Sequence, residues 1–555
     1  MAVFLTDEGI NPAEQSNCWK SEQPGAKLAA LEICASPQKK AQKKNPSARI
    51  FVDDVALTLG TEAATVISSL VLTSLLSRWL GARVLSEYLL LRRVLSWSIS
   101  GTLLGIATGL PRYVAHVAGH LEAAGHLERD EPRYLLAASI CLFPTAAVVG
   151  GLMVFFRGFF AKWLFGNPHE TGLVMALAML LFGFAIHRTV YGYYRGLLDM
   201  VRANLLELCS VAILPLVVVL IFYRSQPIGA MMLATGAVMT VIGGLFAVPI
   251  LRRLRHRSSA GTLRTHCAEL LQYGLPRVPG EFGATALTAL GPILAAHYMD
   301  IAKVSPLLLG LNMLMVIGYA AAPLGTVLLS KVSMMLGQNQ QEGVQSRLRL
   351  LVSAVMEVSV FTCIQLAVFA DVVVRAWVGP GFQNEMDVIR IVLLAIPPYL
   401  FFVALRSTID AATIKPYNTA NVLISLTAYL GLIGAWMALF PRYSLLLGIA
   451  GSLLGSQILL SVLTARTFRR FYGLGIPWRR LAPSFAAAVA LGVAAFAFRE
   501  LWSGPVPLPQ AILAELLFTG VYLALLARLG SGWIAYTWNV GVMRREHWQM
   551  NEVQQ

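Results

Sequence analysis

Charge is scarce in this chain of 555 residues: Asp, Glu, Lys and Arg make up 13%, about half of the roughly 25% of an ordinary soluble domain. Acid is the scarcer sign, with 29 Asp and Glu against 44 Lys and Arg. Cysteines number six (Cys18, Cys34, Cys141, Cys209, Cys267 and Cys363), none in a Cys-x-x-Cys pair, and four lie in or beside apolar segments. They read as small core hydrophobes and exclude a disulfide framework or a cysteine metal site. No glycine-rich loop ends in Lys-Ser or Lys-Thr, so direct drive by ATP is unsupported. His116, His120 and His126 have no cysteine or acidic residues beside them to complete a metal set. No metal and no cofactor is implied. Nor does an apolar core precede the basic cluster Lys39, Lys40, Lys43, Lys44 and Arg49. Residues 1–50 therefore read as a disordered basic tail on the cytoplasmic side rather than a secretory signal.

Apolar residues are abundant instead, at 57% with a mean hydropathy of +0.65. One or two water-soluble domains cannot bury that many. A soluble enzyme, a disordered chain and a nucleic-acid-binding module are excluded as readings of the whole protein. The net charge of +15 would suggest nucleic acid in a soluble protein; in a membrane protein it reflects the excess of Lys and Arg in cytoplasmic loops.

A spanning helix needs about 20 mainly apolar residues. Fourteen such runs lie near 53–77, 86–110, 134–156, 171–194, 203–223, 228–250, 270–297, 305–329, 350–372, 387–408, 420–440, 444–465, 482–499 and 511–529. Charges or prolines interrupt the seventh, tenth and thirteenth. With the N-terminus inside, the inner segments carry 32 of the 44 Lys and Arg and the outer loops 12, four of those about the first outer loop. That asymmetry places both termini in the cytoplasm. The outer loops are short, so any site is built within the helix bundle.

The chain also repeats itself. Ala203-Asn204-Leu205-Leu206 opens the fifth span and Ala420-Asn421-Val422-Leu423 the eleventh, an offset of 217. The end of the second span falls on the end of the eighth at the same offset. Trp163-Leu164-Phe165-Gly166 and Trp377-Val378-Gly379 follow the third and ninth spans about 214 apart. The fold class expected is therefore an all-α polytopic membrane protein with about 14 spans, arranged as two six-helix pseudo-repeats and a C-terminal helix pair. Its divisions are the tail 1–50, a first lobe 51–257, a second lobe 258–470, an appended hairpin 471–530 and a cytoplasmic tail 531–555. Parallel repeats of this kind belong to transporters whose substrate lies between two lobes.

Ionisable residues inside spans are costly and face cavities or each other. Glu62, Arg112, Arg188, Arg195, Glu207, Arg277, Glu281, Glu357, Arg406 and Asp410 are so placed. For Arg188 and Arg195, snorkelling to the interface is the simpler reading. Glu62 and Glu281 take near-equivalent places in the first helix of each half. Arg277 and Glu281, four residues apart, share a helix face and are positioned to pair. Arg112, Arg277, Arg406 and Arg188 are candidates to hold an anionic headgroup; Glu62, Glu281, Glu207 and Asp410 are candidates to bind a proton or coupling cation. Gly109-Leu110-Pro111-Arg112 and Gly274-Leu275-Pro276-Arg277 free backbone carbonyls and permit bends, which makes span 7 a candidate hinge.

Four stretches, GIATGLPRYVA (Gly105 to Ala115), LQYGLPRVPGEF (Leu271 to Phe282), AWVGPGF (Ala376 to Phe382) and DAATIKPYNTAN (Asp410 to Asn421), resemble the polysaccharide flippases. These are the O-antigen type exporters of the multidrug/oligosaccharidyl-lipid/polysaccharide superfamily. The resemblance covers roughly residues 51–530 and departs in the basic tail and in His297 to Pro306, where the family has a glycine-rich outer loop. It implies a V-shaped bundle in the bacterial inner membrane with a cationic cavity. It further implies flipping of an undecaprenyl-diphosphate-linked oligosaccharide from the inner to the outer leaflet in cell-surface polysaccharide biosynthesis. The partners implied are that lipid-linked oligosaccharide, membrane lipids and the polysaccharide polymerase and export machinery, with no nucleic acid and no enzymatic activity. The alternative is a cation-coupled multidrug or metabolite exporter of the same superfamily. A membrane glycosyltransferase or polymerase ranks lower, because Glu170, Asp300, Glu385 and Asp387 are scattered over short outer loops.

Overall fold

The computed structural model describes residues 46–124, 131–254, 260–337, 341–382, 386–413, 415–502 and 506–535. Residues 1–45 of the expected tail, the chain end 536–555, Cys18, Cys34 and His126 lie outside the described residues. Among the described residues the chain is helical, with no strand.

Among the described residues, twelve helices are long and apolar enough to cross a membrane. The first, Leu57–Thr102, has 46 residues, about 69 Å of helix at 1.5 Å per residue, over twice the roughly 30 Å hydrocarbon core. It breaks at Gly81 (φ 84°, ψ −178°) and so supplies spans 1 and 2. The 21-residue helix Val278–Tyr298 supplies most of span 7. Counted this way, the described helices supply fourteen segments at the places the apolar runs mark.

Several breaks fall where composition alone does not put them. Span 2 interrupts at Leu104 (φ 50°) and Gly105 (φ 67°), then continues as Ile106–Ala124 straight through Pro111. Pro111 sits in the second turn of that helix and removes one backbone hydrogen bond without ending the helix. Span 7 is divided, as its prolines suggest: Ala260–Gly274, a 3₁₀ turn Leu275–Arg277, then Val278–Tyr298. Span 5 carries a π turn over Leu208–Ile213. Spans 3 and 9 extend beyond their apolar runs and bend at matched residues. Glu131–Phe155 passes through Phe156 (φ −97°, ψ 32°) into Arg157–Phe165, and Gln341–Val368 passes through Phe369 (φ −95°, ψ 16°) into Ala370–Val378. The two short helices end on Gly166 (φ 74°) and Gly379 (φ 102°). Phe156 with Phe369 and Gly166 with Gly379 stand 213 residues apart, close to the sequence repeat.

Span 4, Thr171–Gly196, is the centre of the first half, packed on spans 3 and 6 and on Ile106–Ala124. Gly183 on span 4 abuts Gly236 on span 6; such small residues let backbones approach where the apolar surroundings give no hydrophobic drive. In the second half span 10 (Met386–Leu393 and Ile396–Ala412) plays the corresponding part against spans 8, 9 and 12. The halves meet where span 7 and span 8 (Ser305–Gly337) pack on the long first helix. Span 13 (Trp478–Glu500) attaches the terminal hairpin to span 9. One segment crosses over: Ala260–Gly274, the first part of span 7, packs on span 3 and on Ile106–Ala124 of the first half.

Candidate functional site

Each half gathers charge around the first helix it contributes. In the first, Glu207 Oε2 lies 2.9 Å from His187 Nε2 and 3.9 Å from Arg188 Nη1. The Arg188 and Arg195 guanidinium groups lie 5.8 and 5.6 Å from the centre of the Tyr191 ring. Glu62 sits in the field of Glu207, Arg188 and Arg195. Asn204 Nδ2 donates to Thr58 Oγ1 at 3.1 Å, one turn from Glu62, and so fixes span 5 on span 1.

In the second half Glu281 sits in the field of Arg406 and Arg277, and so does Asp410. Asn418 Nδ2 donates to Asp410 Oδ1 and to the Arg406 carbonyl, both at 2.8 Å. Arg277 does not pair with Glu281 as the spacing suggests. Its Nη1 donates to the Tyr273 carbonyl at 2.7 Å and its guanidinium lies 3.9 Å over the Tyr273 ring. Arg112, from the first half, approaches the same ring at 4.9 Å. The four candidate arginines thus divide: Arg112, Arg277 and Arg406 share one neighbourhood with Glu281 and Asp410, and Arg188 belongs to the other with Glu62 and Glu207. Two members recur at nearly the repeat offset, Glu62 with Glu281 at 219 residues and Arg188 with Arg406 at 218, whereas Glu207 falls on Ile424 and Asp410 on Tyr193, so the two neighbourhoods correspond only in part.

The structure adds a station that the loop count hides. Two of the four basic residues assigned to the first outer loop, Arg92 and Arg93, lie inside span 2. They stand about 16 to 18 Å along the helix from Gly81, roughly half-way through the bilayer. Arg92 Nη1 donates to Ser69 Oγ at 2.6 Å and its guanidinium lies 5.7 Å from the Tyr88 ring. Arg93 is 9% exposed, near Tyr319 of span 8 and Tyr399 of span 10. Among the described residues neither arginine forms an ion pair. An adjacent Arg-Arg inside a run long enough to span was the signal available in the sequence. His187 was missed as well, since a lone apolar-flanked histidine gives no spacing to read.

Nine residues from Arg92, at the far face from the chain ends, the halves are joined. Arg83 pairs with Glu87 at 3.0 Å, Glu170 at 3.1 Å and Asp300 at 3.5 Å, beside a cavity of ≈ 330 Å³ that Asn167 and His297 also line. Among the described residues no group of three His, Cys, Asp or Glu could hold a metal ion. Cys141, Cys209, Cys267 and Cys363 are free thiols.

No family model and no curated protein matches the chain. Solved structures do resemble it. The lipid II flippase MurJ, in an inward closed conformation, superposes with a TM-score of 0.59 over 85% of this chain and 98% of its own, at 12% identity. An inward-facing multidrug resistance MATE family transporter of the MOP superfamily gives 0.55 over 79% and 99%, at 14% identity. The eukaryotic MATE transporter AtDTX14 gives 0.52 over 76% and 98%, at 15%. At these identities the fold is what is shared. The chain is a multi-pass membrane protein with the architecture of MurJ and the MATE transporters.

Proposed function

We propose that this protein is a membrane transporter that flips a polyprenyl-diphosphate-linked oligosaccharide from the inner to the outer leaflet of the bacterial cytoplasmic membrane. Arginine at the seam between the halves carries this reading: Arg112 and Arg277 come from opposite halves onto the Tyr273 ring, and Arg92 and Arg93, without an ion pair among the described residues, stand deeper along span 2. Uncompensated guanidinium groups inside a bilayer are costly and suit a diphosphate, whose oxygens accept two parallel hydrogen bonds from each. The headgroup is received at Arg112, Arg277 and Arg406 and passes to Arg92 and Arg93 as the lobes, residues 51–257 and 258–470, rock about it. The polyprenyl chain stays in lipid. Glu62, Glu207, Glu281 and Asp410 are the candidates for a proton or cation that resets the cycle. Polysaccharide polymerase and export machinery are the partners this role calls for.

The test is a leaflet assay in the host after depletion of the protein. Lipid-linked glycan accumulates on the inner side, and the wild type clears it while Arg277→Ala and Arg112→Ala, inserted normally, do not. Unchanged lipid-linked pools would overturn the proposal. The second reading, a cation-coupled multidrug or metabolite exporter, draws on the acidic residues in both clusters; dye efflux that depends on Glu62 or Glu281 would favour it.

A further inference from the structure

Arg83 and Asp300 occupy the same place in the two halves. They are 217 residues apart, the offset of the Asn204 and Asn421 segments, and they touch, Nη1 to Oδ2, at 3.5 Å. Equivalent positions of two parallel repeats can meet each other only on the axis that relates the repeats. The pair therefore marks the pseudo-two-fold axis at the far face. A position that two identical halves would fill with like charges holds opposite ones.

Each partner is held by its own half. Arg83 Nε and Nη2 are taken by Glu87 and Glu170, and Asp300 Oδ1 accepts from Ala302 N at 2.9 Å as the cap of the turn Ile301–Val304. Among the bonds made by Arg83 and Asp300 in the described residues, the one between Nη1 and Oδ2 is the one that crosses the seam. On either side of it the halves close by reciprocal contacts. The backbone at Gly166 rests on the Ala296 carbonyl at the end of span 7, too close for a Cβ. The matching end of Ala370–Val378 rests on span 1, where Arg78 Nη2 donates to the Ala376 carbonyl at 2.6 Å and Trp377 Nε1 to the Leu70 carbonyl at 2.8 Å.

We infer that Arg83 is a clamp on the pseudo-two-fold axis, bridging Asp300 of one half to Glu87 and Glu170 of the other, that closes the far face and must release Asp300 for that face to open. The inference rests on the transport reading only through the rocking of two lobes. Its strength suits a contact broken in every cycle. Arg83 and Asp300 side chains are both 52% exposed, and exposed pairs of this kind bias an equilibrium by at most about fivefold. Without Arg83, however, Glu87 and Glu170 face Asp300 uncompensated, so losing the arginine opens the seam more than losing the aspartate.

Distances between spin labels at Gln226→Cys and Tyr443→Cys, on far-face loops of the two halves, test the clamp. The full-length protein is used without substrate, in nanodiscs, with its native cysteines replaced. Arg83→Gln raises the open-to-closed ratio about fivefold or more. Adding Asp300→Asn, which keeps the cap but removes the charge, brings the ratio back toward wild type. Raising salt shifts the wild type toward open, because exposed pairs are screened, and this arm needs no variant. Unchanged distances in Arg83→Gln, or a second substitution that restores nothing, would overturn the clamp and leave the substrate assignment standing. A failed leaflet assay would do the reverse.

Discussion

The indole N–H of Trp533 donates to Glu357 Oε2 at 2.7 Å across 176 residues of sequence. Ser531 Oγ reaches the same oxygen at 2.7 Å, Ser484 Oγ reaches Oε1 at 2.9 Å, and the Tyr522 hydroxyl donates to the Glu357 carbonyl at 3.0 Å. Glu357 is 3% exposed and, among the described residues, pairs with no cation. Sequence alone marks it as an ionisable residue inside a span, costly unless it is partnered. Its surroundings make it the peg on which the terminal hairpin hangs, each neighbour supplying one neutral donor.

Glu357→Ala strands the Ser484, Ser531 and Trp533 donors in an apolar interior, at about 1–3 kcal/mol for each group left unsatisfied, while the Tyr522 bond to the backbone carbonyl remains. Thermal unfolding in detergent is expected to fall by several degrees, and limited proteolysis to release the hairpin first. Glu357→Gln keeps an acceptor and costs less. Equal melting of the alanine variant and the wild type would exclude the peg.

Gly105 and Gly274 set how closely the halves approach near the chain-end side. A Cβ on either would overlap the backbone of the other's segment, and Gly105 also has φ 67°. Close beside them Tyr134 donates to Glu269 Oε2 at 2.6 Å and Cys267 packs on the Ala137 carbonyl. Gly274→Ala forces the backbones apart, and overpacking of this kind costs roughly 1–3 kcal/mol. Cross-linking between cysteines placed at Tyr134 and Glu269 is expected to slow in that variant; an unaltered rate would show that the approach is not set here.

Span number, span position and the repeat were legible in the sequence because the lipid's demand for long apolar runs is written into composition. Tertiary contacts were not. The break of span 2 fell at Gly105 rather than at Pro111 because the backbone of Gly274 lies against it, a contact no local pattern reports. Arg92 and Arg93 were hidden by a count that assigns every basic residue near a span end to a loop. The pairing of Arg83 with Asp300 was implicit in the offset of 217, but a repeat reveals equivalent positions without telling which of them lie on the axis. The first part of span 7 joins the first half, although chain order groups it with the second.

Glu62 and Glu281 take equivalent places in the two halves but differ in their charged neighbours. Glu207 is bonded to His187, and Glu281 lies in the field of Arg406 and Arg277. Glu62 shares its field with a second carboxylate, Glu207, as well as with Arg188 and Arg195, and two carboxylates brought together from different spans can hold one cation between them. Glu62→Gln is expected to abolish the response of flipping to an imposed ion gradient, and Glu281→Gln to retain it. Initial rates in proteoliposomes with and without proton and sodium gradients decide between them. A gradient response preserved in Glu62→Gln would remove Glu62 from the coupling step.

Arg93 offers the sharpest separation of function from stability. A guanidinium near mid-bilayer costs about 2.5–3.5 kcal/mol on insertion scales, and no carboxylate among the described residues offsets it. Replacing it with methionine removes that cost while filling similar volume, so Arg93→Met is expected to melt several degrees higher than the wild type. The same change removes a charge-assisted grip on a diphosphate worth about 1.5–3 kcal/mol, so flipping is expected to fall at least tenfold. Arg93→Lys keeps the charge, loses the bidentate geometry and should fall between the two. A structural arginine gives the opposite sign, with Arg93→Met melting lower, and melting and flipping measured on one preparation distinguish the cases.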